Sequence, residues 1–149
     1  RGFKVSDFIG RYLNKVDRKG RVSVPAAWRP KLIGKEFHGI IAQSSNVEKA
    51  IDGYPRGYLE LLQNKLDLND PLLEENEYES TVLFGGSVLT FDNEGRVVLS
   101  ETLRSDADVI SEALFVGMGR RFRIWSPKIF DEYLVRARLH MDKRRKTKS

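Results

Sequence analysis

Asp17 and Arg21 stand four residues apart around Arg18-Lys19-Gly20, and Asp92 and Arg96 repeat that spacing around Asn93-Glu94-Gly95. A carboxylate and a guanidinium so spaced, with glycine just before the arginine, allow two kinds of chemistry. In the first, the pair closes a hairpin turn as an ion pair, worth about 0.2–1 kcal/mol when exposed. In the second, the aspartate shapes the turn and the arginine's planar fork grips a phosphate or a guanine edge. Arg11, Lys15, Arg18 and Lys19 precede Arg21 on and beside the same hairpin, so a nucleic-acid contact is expected there. Arg96 lies in an acidic stretch and is expected to be structural or to sit at a subunit contact.

Enzymatic chemistry finds little to use. The chain has no cysteine and only two histidines, His38 and His140, far apart and without ligand partners at metal spacing. No nucleophile and histidine pair up, and no carboxylates converge. Asp17 and Asp92 each have their own arginine, which favours ordinary ionised side chains over a catalytic dyad. Gly117-Met118-Gly119 has glycines spaced as in a phosphate loop, but no lysine-bearing helix follows, so it reads as a hairpin turn. No enzyme and no cofactor are expected.

The elements that must carry these turns are duplicated too. At an offset of 75 residues Gly10 falls on Gly85, Leu13 on Val88, Val16 on Phe91, Val24 on Leu99 and Arg29 on Arg104. Internal repetition of this kind governs the whole fold. Each copy reads as strand, turn, strand and short helix. Gly20 and Gly95 supply the positive φ of a tight three-residue hairpin loop. Val22 and Val24 alternate with Arg21 and Ser23, the period of a strand with one buried face. Pro25 opens a short helix over Ala26–Arg29, closed by Pro30, whereas Ser100 caps the helix of the second copy. Further strands are predicted over Gly39–Ala42, Leu114–Val116 and Phe122–Trp125. Tyr58, Leu61, Leu62 and Leu66 form one helical stripe, and Phe130, Tyr133, Leu134 and Ala137 another. Trp28, Trp125, Tyr54 and Tyr58 flank these stripes and read as core or interface anchors. One repeat is too small to bury a core alone, so the two are expected to share one.

Charge is segregated along the chain. Residues 1–52 hold 11 Lys/Arg against 5 Asp/Glu, residues 53–133 hold 8 against 15, and residues 134–149 hold 7 against 1. An anionic polymer would therefore bind the first repeat and the tail, and the acidic middle could meet the basic segment of another copy. The tail, with no apolar face, is expected to be disordered and either to add phosphate contacts or to solubilise. No stretch approaches the roughly 20 apolar residues of a membrane span, and the start lacks a signal-peptide core. A soluble intracellular protein is expected.

The order Gly10-x6-Asp17-x3-Arg21-Val-Ser-Val-Pro25-Ala-x-Trp-Arg29, followed by Gly85-x6-Asp92-x3-Arg96-Val-Val-Leu, Leu103-Arg104, Leu114-Phe115-Val116-Gly117 and Phe122-x-Ile124-Trp125, resembles the MraZ family over about residues 8–135. Members of that family carry two SpoVT/AbrB-like repeats, each marked by Asp-x-x-x-Arg. The resemblance implies an α+β fold, a swapped-hairpin β-barrel formed by two AbrB-like repeats in one chain, with a helix after each repeat. It divides the chain into a first repeat (8–55), linking helices (56–82), a second repeat (83–126), a C-terminal helix (127–141) and a basic disordered tail (142–149). It further implies a cytoplasmic, nucleoid-associated transcriptional regulator. Such a regulator binds double-stranded DNA as a closed homo-oligomeric ring, on repeated boxes upstream of division and cell-wall genes. Arg11, Lys15, Arg18, Lys19 and Arg21 are the expected DNA-binding residues. Asp17, Gly20, Asp92, Gly95 and Arg96 are the expected motif residues. The alternative is an AbrB-like antitoxin or a protein-binding scaffold, though an antitoxin would ordinarily carry a single repeat.

Overall fold

A computed structural model describes residues 8–68 and 72–148. In chain order the elements are β1 (Arg11–Lys15), β2 (Arg21–Ser23), a 3-10 turn (Arg29–Leu32), β3 (Gly39–Ser44), β4 (Ile51–Tyr54), α1 (Arg56–Asp67), α2 (Glu74–Phe84), β5 (Ser87–Thr90), β6 (Arg96–Val98), α3 (Glu101–Ala107), β7 (Glu112–Gly117), β8 (Phe122–Trp125) and α4 (Pro127–Lys148). The fold is mixed α+β. Six strands form one antiparallel sheet in the order β1-β7-β8-β4-β3-β5, and β2 pairs with β6 in a separate ribbon. Among the described residues these ladders do not close into a barrel, because β1 and β5 are sheet edges. β2 meets the segment before its own turn at an isolated bridge between Val16 and Val22.

Among the described residues, β3 pairs with β4 and β7 with β8 inside each half, and the other four ladders run between the halves. β1 pairs with β7, β5 with β3, β2 with β6 and β4 with β8. An approximate two-fold relates them, and at two places a residue faces its own counterpart: Val22 opposite Val97, at the 75-residue offset, and Asp52 opposite Arg123, the second residues of the matching strands β4 and β8. Neither half has a separate core. Phe8, Trp28, Ile40 and Ile51 from the first half and Val97, Leu99, Phe115, Phe122 and Ile124 from the second form one buried cluster. At its centre Phe8 and Trp28 meet edge to face at 5.4 Å, with Phe122 5.1 Å from Trp28. A second cluster of Ala50, Trp125 and Phe130, with Tyr133 and Leu134 against it, docks the start of α4 on the sheet's other face. The predicted anchors Trp28, Trp125 and Tyr54 are thus almost wholly buried. Burial pushes the Tyr54 phenol up to about 12, with the nearby Asp52 carboxylate adding to the shift.

Three local expectations change. Pro30 does not close a helix at Arg29; it sits in the first turn of the 3-10 segment, where a missing N–H costs nothing. The helix α2 runs to Phe84, two residues into the stretch assigned to the second repeat. The basic segment 142–148 is not disordered: α4 continues through it to Lys148. Lysine and arginine are good helix formers, and cations suit a helix C-terminus. Asp142 and Arg145, three apart, add an ion pair on one face. The expected cap is present, with Ser100 Oγ accepting the Leu103 N–H at 3.2 Å. No helix among the described residues is long and apolar enough to cross a membrane.

Candidate nucleic-acid interface

Each Asp-x-x-x-Arg turn is built around its carboxylate. The Asp17 N–H donates to the Arg21 carbonyl at 3.0 Å and Gly20 N–H to the Asp17 carbonyl at 3.0 Å, which closes the loop. Asp17 Oδ1 then accepts the Lys19 and Arg21 backbone N–H groups, both at 2.9 Å, and Oδ2 accepts Arg21 Nε at 2.6 Å. These donors favour the ionised form, so the Asp17 carboxyl lies below its usual range, chiefly through the Arg21 backbone N–H and against a smaller desolvation cost. The second turn repeats the pattern. Asp92 Oδ1 accepts from Glu94 and Arg96 N–H at 2.9 Å, and Oδ2 from Arg96 Nε at 2.8 Å. Its carboxyl is lowered by the same leading cause, the Arg96 backbone N–H. The ion pair that closes the turn is therefore also what orients the arginine.

Both glycines have positive φ, 86° at Gly20 and 76° at Gly95. The ribbon sets Arg21 opposite Val98 and Arg96 opposite Ser23, with Val22 and Val97 turned into the core between them. Successive strand residues face opposite ways, so both arginines lie on the outward face. Asn14 Nδ2 donates to the Ser23 carbonyl at 2.8 Å and ties β1 to the ribbon.

Each repeat also braces the other's turn. Leu99 N–H donates to the Gly20 carbonyl at 2.8 Å, and Val24 N–H to the Gly95 carbonyl at 3.2 Å. Arg104 Nε donates to the Leu99 carbonyl at 3.0 Å beside Gly20. Arg29 Nη1 reaches the Val24 and Glu94 carbonyls at 3.4 and 3.5 Å beside Gly95. These two bracing arginines were not among the expected site residues. Their signal was present, since Arg29 and Arg104 align at the repeat offset, but the pairing between the halves that gives them a role is a long-range property.

The turns differ in charge. Arg18 and Lys19 are exposed at the tip of the first, and Lys15 is exposed on the strand leading to it. Arg21 is half-buried, with its side chain 38% accessible, and pairs through Nε alone among the described residues, which leaves its two Nη groups for another partner. In the second turn Glu94 replaces a cation and binds Arg96 Nη2 at 3.3 Å. Arg96 is held above its usual range, first by its hydrogen bond to Asp92. Arg11 stands apart from this cluster, at the far end of β1 with its guanidinium 5.0 Å from the Phe130 ring. The turn thus gathers Lys15, Arg18, Lys19 and Arg21, and not Arg11. No group of three His, Asp or Glu side chains among the described residues is placed to hold a metal ion.

A family described as "MraZ protein, putative antitoxin-like" matches residues 83–148. The chain is 41% identical to the transcriptional regulator MraZ of Rickettsia canadensis over 128 residues, covering 85% of this chain and 86% of that one. It is 42% identical to the transcriptional regulator MraZ of Rickettsia africae over 129 residues, with the same coverage. Against that of Rickettsia akari it is 40% identical over 132 residues, covering 87% and 88%. These relatives are transcriptional regulators rather than enzymes.

Proposed function

The chain belongs to the MraZ family of transcriptional regulators, and from that premise we propose that it acts by binding double-stranded DNA through its first Asp-x-x-x-Arg turn. The observation that carries this reading is the contrast between two turns of one geometry. One presents Arg18, Lys19 and the free Nη groups of Arg21; the other covers its arginine with Glu94. A two-stranded ribbon fits the major groove, and an arginine held by its own aspartate reaches a base edge or phosphate at little entropic cost. Lys15, Arg18 and Lys19 would position the turn on phosphates while Arg21 reads sequence. Arg11 would contribute only by reaching DNA from the far end of β1.

A single small turn gives weak affinity. In the proposed particle the exchanged strands are the swapped hairpins of two AbrB-like repeats, and copies of the chain close into a ring. Several turns on one rim would then engage repeated boxes upstream of division and cell-wall genes, in the cytoplasm at the nucleoid, with avidity supplying the affinity. The test is Arg21→Ala, measured by retardation of a fragment of the protein's own upstream DNA and by native particle mass. The expected result is loss of specific retardation at unchanged mass, with Arg96→Ala much milder. Normal retardation by Arg21→Ala would refute the assignment.

A further inference from the structure

The helix α4 leaves the body of the protein halfway along its length. Ile129, Phe130, Tyr133 and Leu134 pack on the Trp125 cluster, and Arg136 pairs with Glu48 at 3.1 Å. Beyond Arg136, Arg145 pairs with Asp142 and the Thr147 hydroxyl donates to the Lys143 carbonyl, both within the helix. At 1.5 Å per residue the remaining twelve residues project about 18 Å. From Val135 onward the helix is basic, yet it also carries exposed apolar residues: Val135, Leu139 and Met141 are 60%, 56% and 58% exposed. Val135 and Leu139 are one helical turn apart and share a face, with Arg138 and Lys143 exposed nearby.

The arm formed by α1 and α2 has the opposite character. No residue of α2 is buried, and an 11-residue helix is marginal on its own. Glu74, Glu75, Glu77 and Glu79 are all exposed, and α2 contains no lysine or arginine. Leu73 and Tyr78 are 56% and 62% exposed among these carboxylates, and Leu61 of α1 is 46% exposed. DNA is excluded as a cover for such a surface by its charge.

We propose that the projecting half of α4 from one copy of this chain docks on the α1–α2 arm of the next. Val135 and Leu139 then cover Leu73 and Tyr78, and Arg138 and Lys143 face Glu74 and Glu77. Apolar burial supplies the driving force, and the opposed charges set register and partner. The contact is heterologous, since different surfaces meet, and repetition of such a contact closes a ring when the rotation closes. The inference rests on the homo-oligomer reading above and names the surfaces that would build it. A nucleic-acid arm would use the same cations but leave Val135 and Leu139 in water.

The chain has no cysteine, which gives a clean test. In the full-length Tyr78→Cys/Leu139→Cys variant, mild oxidation should join copies into a ladder of covalent oligomers, while Leu139→Cys alone should give none. Separately, Glu74→Lys/Glu77→Lys and Arg138→Glu/Lys143→Glu should each raise the dissociation constant for assembly at least tenfold, read by sedimentation without DNA. Combining the two reversals should restore assembly to within threefold. The proposal is overturned if the double-cysteine variant stays monomeric on oxidation, or if the combined reversals assemble no better than either alone. It is equally overturned if Arg138→Glu/Lys143→Glu keeps its mass but binds a 30-base-pair duplex more weakly. Because assembly is read without DNA, failure here leaves the Arg21 assignment standing, and retardation by Arg21→Ala leaves this one standing.

Discussion

Alanine at Gly20 and at Gly95 should have unequal costs, although the two glycines occupy the same place in the same motif. At either position alanine must hold a left-handed conformation, at about 1–2 kcal/mol, and either change restricts the unfolded chain equally. These contributions cancel in the comparison, which leaves the neighbours. A Cβ at Gly20 would lie 2.4 Å from the backbone carbonyl oxygen of Leu99. Relief requires about 1 Å of movement between two backbones joined by the Leu99 N–H to Gly20 carbonyl bond. Losing that bond at a buried site costs about a further 1–3 kcal/mol. A Cβ at Gly95 would instead meet Arg29 Nη1 at 2.3 Å. The guanidinium can swing away, giving up only contacts of 3.4 and 3.5 Å. Gly20→Ala should therefore be less stable than Gly95→Ala by about 1–3 kcal/mol. A 2 kcal/mol gap corresponds to roughly 4–8 °C in Tm for a chain of this size. Urea midpoints at one fixed protein concentration, with unchanged slopes, make the measurement. Equal costs, or a larger one at Gly95, would refute the claim that Gly20 is held against the rigid Leu99 backbone while Gly95 faces only a movable side chain.

Asp52→Leu should destabilise the protein by about 3–5 kcal/mol, because Arg123, bound to Asp52 at 2.8 Å and 6% exposed, is left as a buried unpaired charge. Replacing both residues by leucine should recover most of that loss in the same urea titration. Acid should loosen the turns only late. The carboxyls of Asp17 and Asp92 lie below their ordinary value of 3.8 in the folded protein, so their contribution is full above about pH 4 and falls away as pH drops through the lowered folded values. Acid titrations of the native protein and of Asp17→Asn/Asp92→Asn check this; a native transition well above pH 4 that the double variant lacks would contradict it.

The local grammar of the fold was legible in the residues. Gly20, Gly95, Ser100 and the alternation around Val22 act within a few positions of themselves, and each sits where its chemistry requires. The aspartate-to-arginine bond was legible for the same reason. What the residues could not announce was pairing over long separations. That Arg104 braces Gly20, that Arg123 meets Asp52 and that Arg11 lies by Phe130 rather than beside Arg21 all follow from which strand lies next to which. The end of α4 was misjudged because the expectation weighed the missing apolar face and neglected the helix propensity of lysine and arginine.

Asp52 and Arg123 occupy one position of the repeat twice, yet carry opposite charges. Were either half to associate with an identical twin, that spot would bring carboxylate against carboxylate or guanidinium against guanidinium in a sealed interior. Tandem fusion removes the obligation to be self-matching. The two halves have diverged into a left and a right glove, and each has forfeited the ability to clasp its own kind.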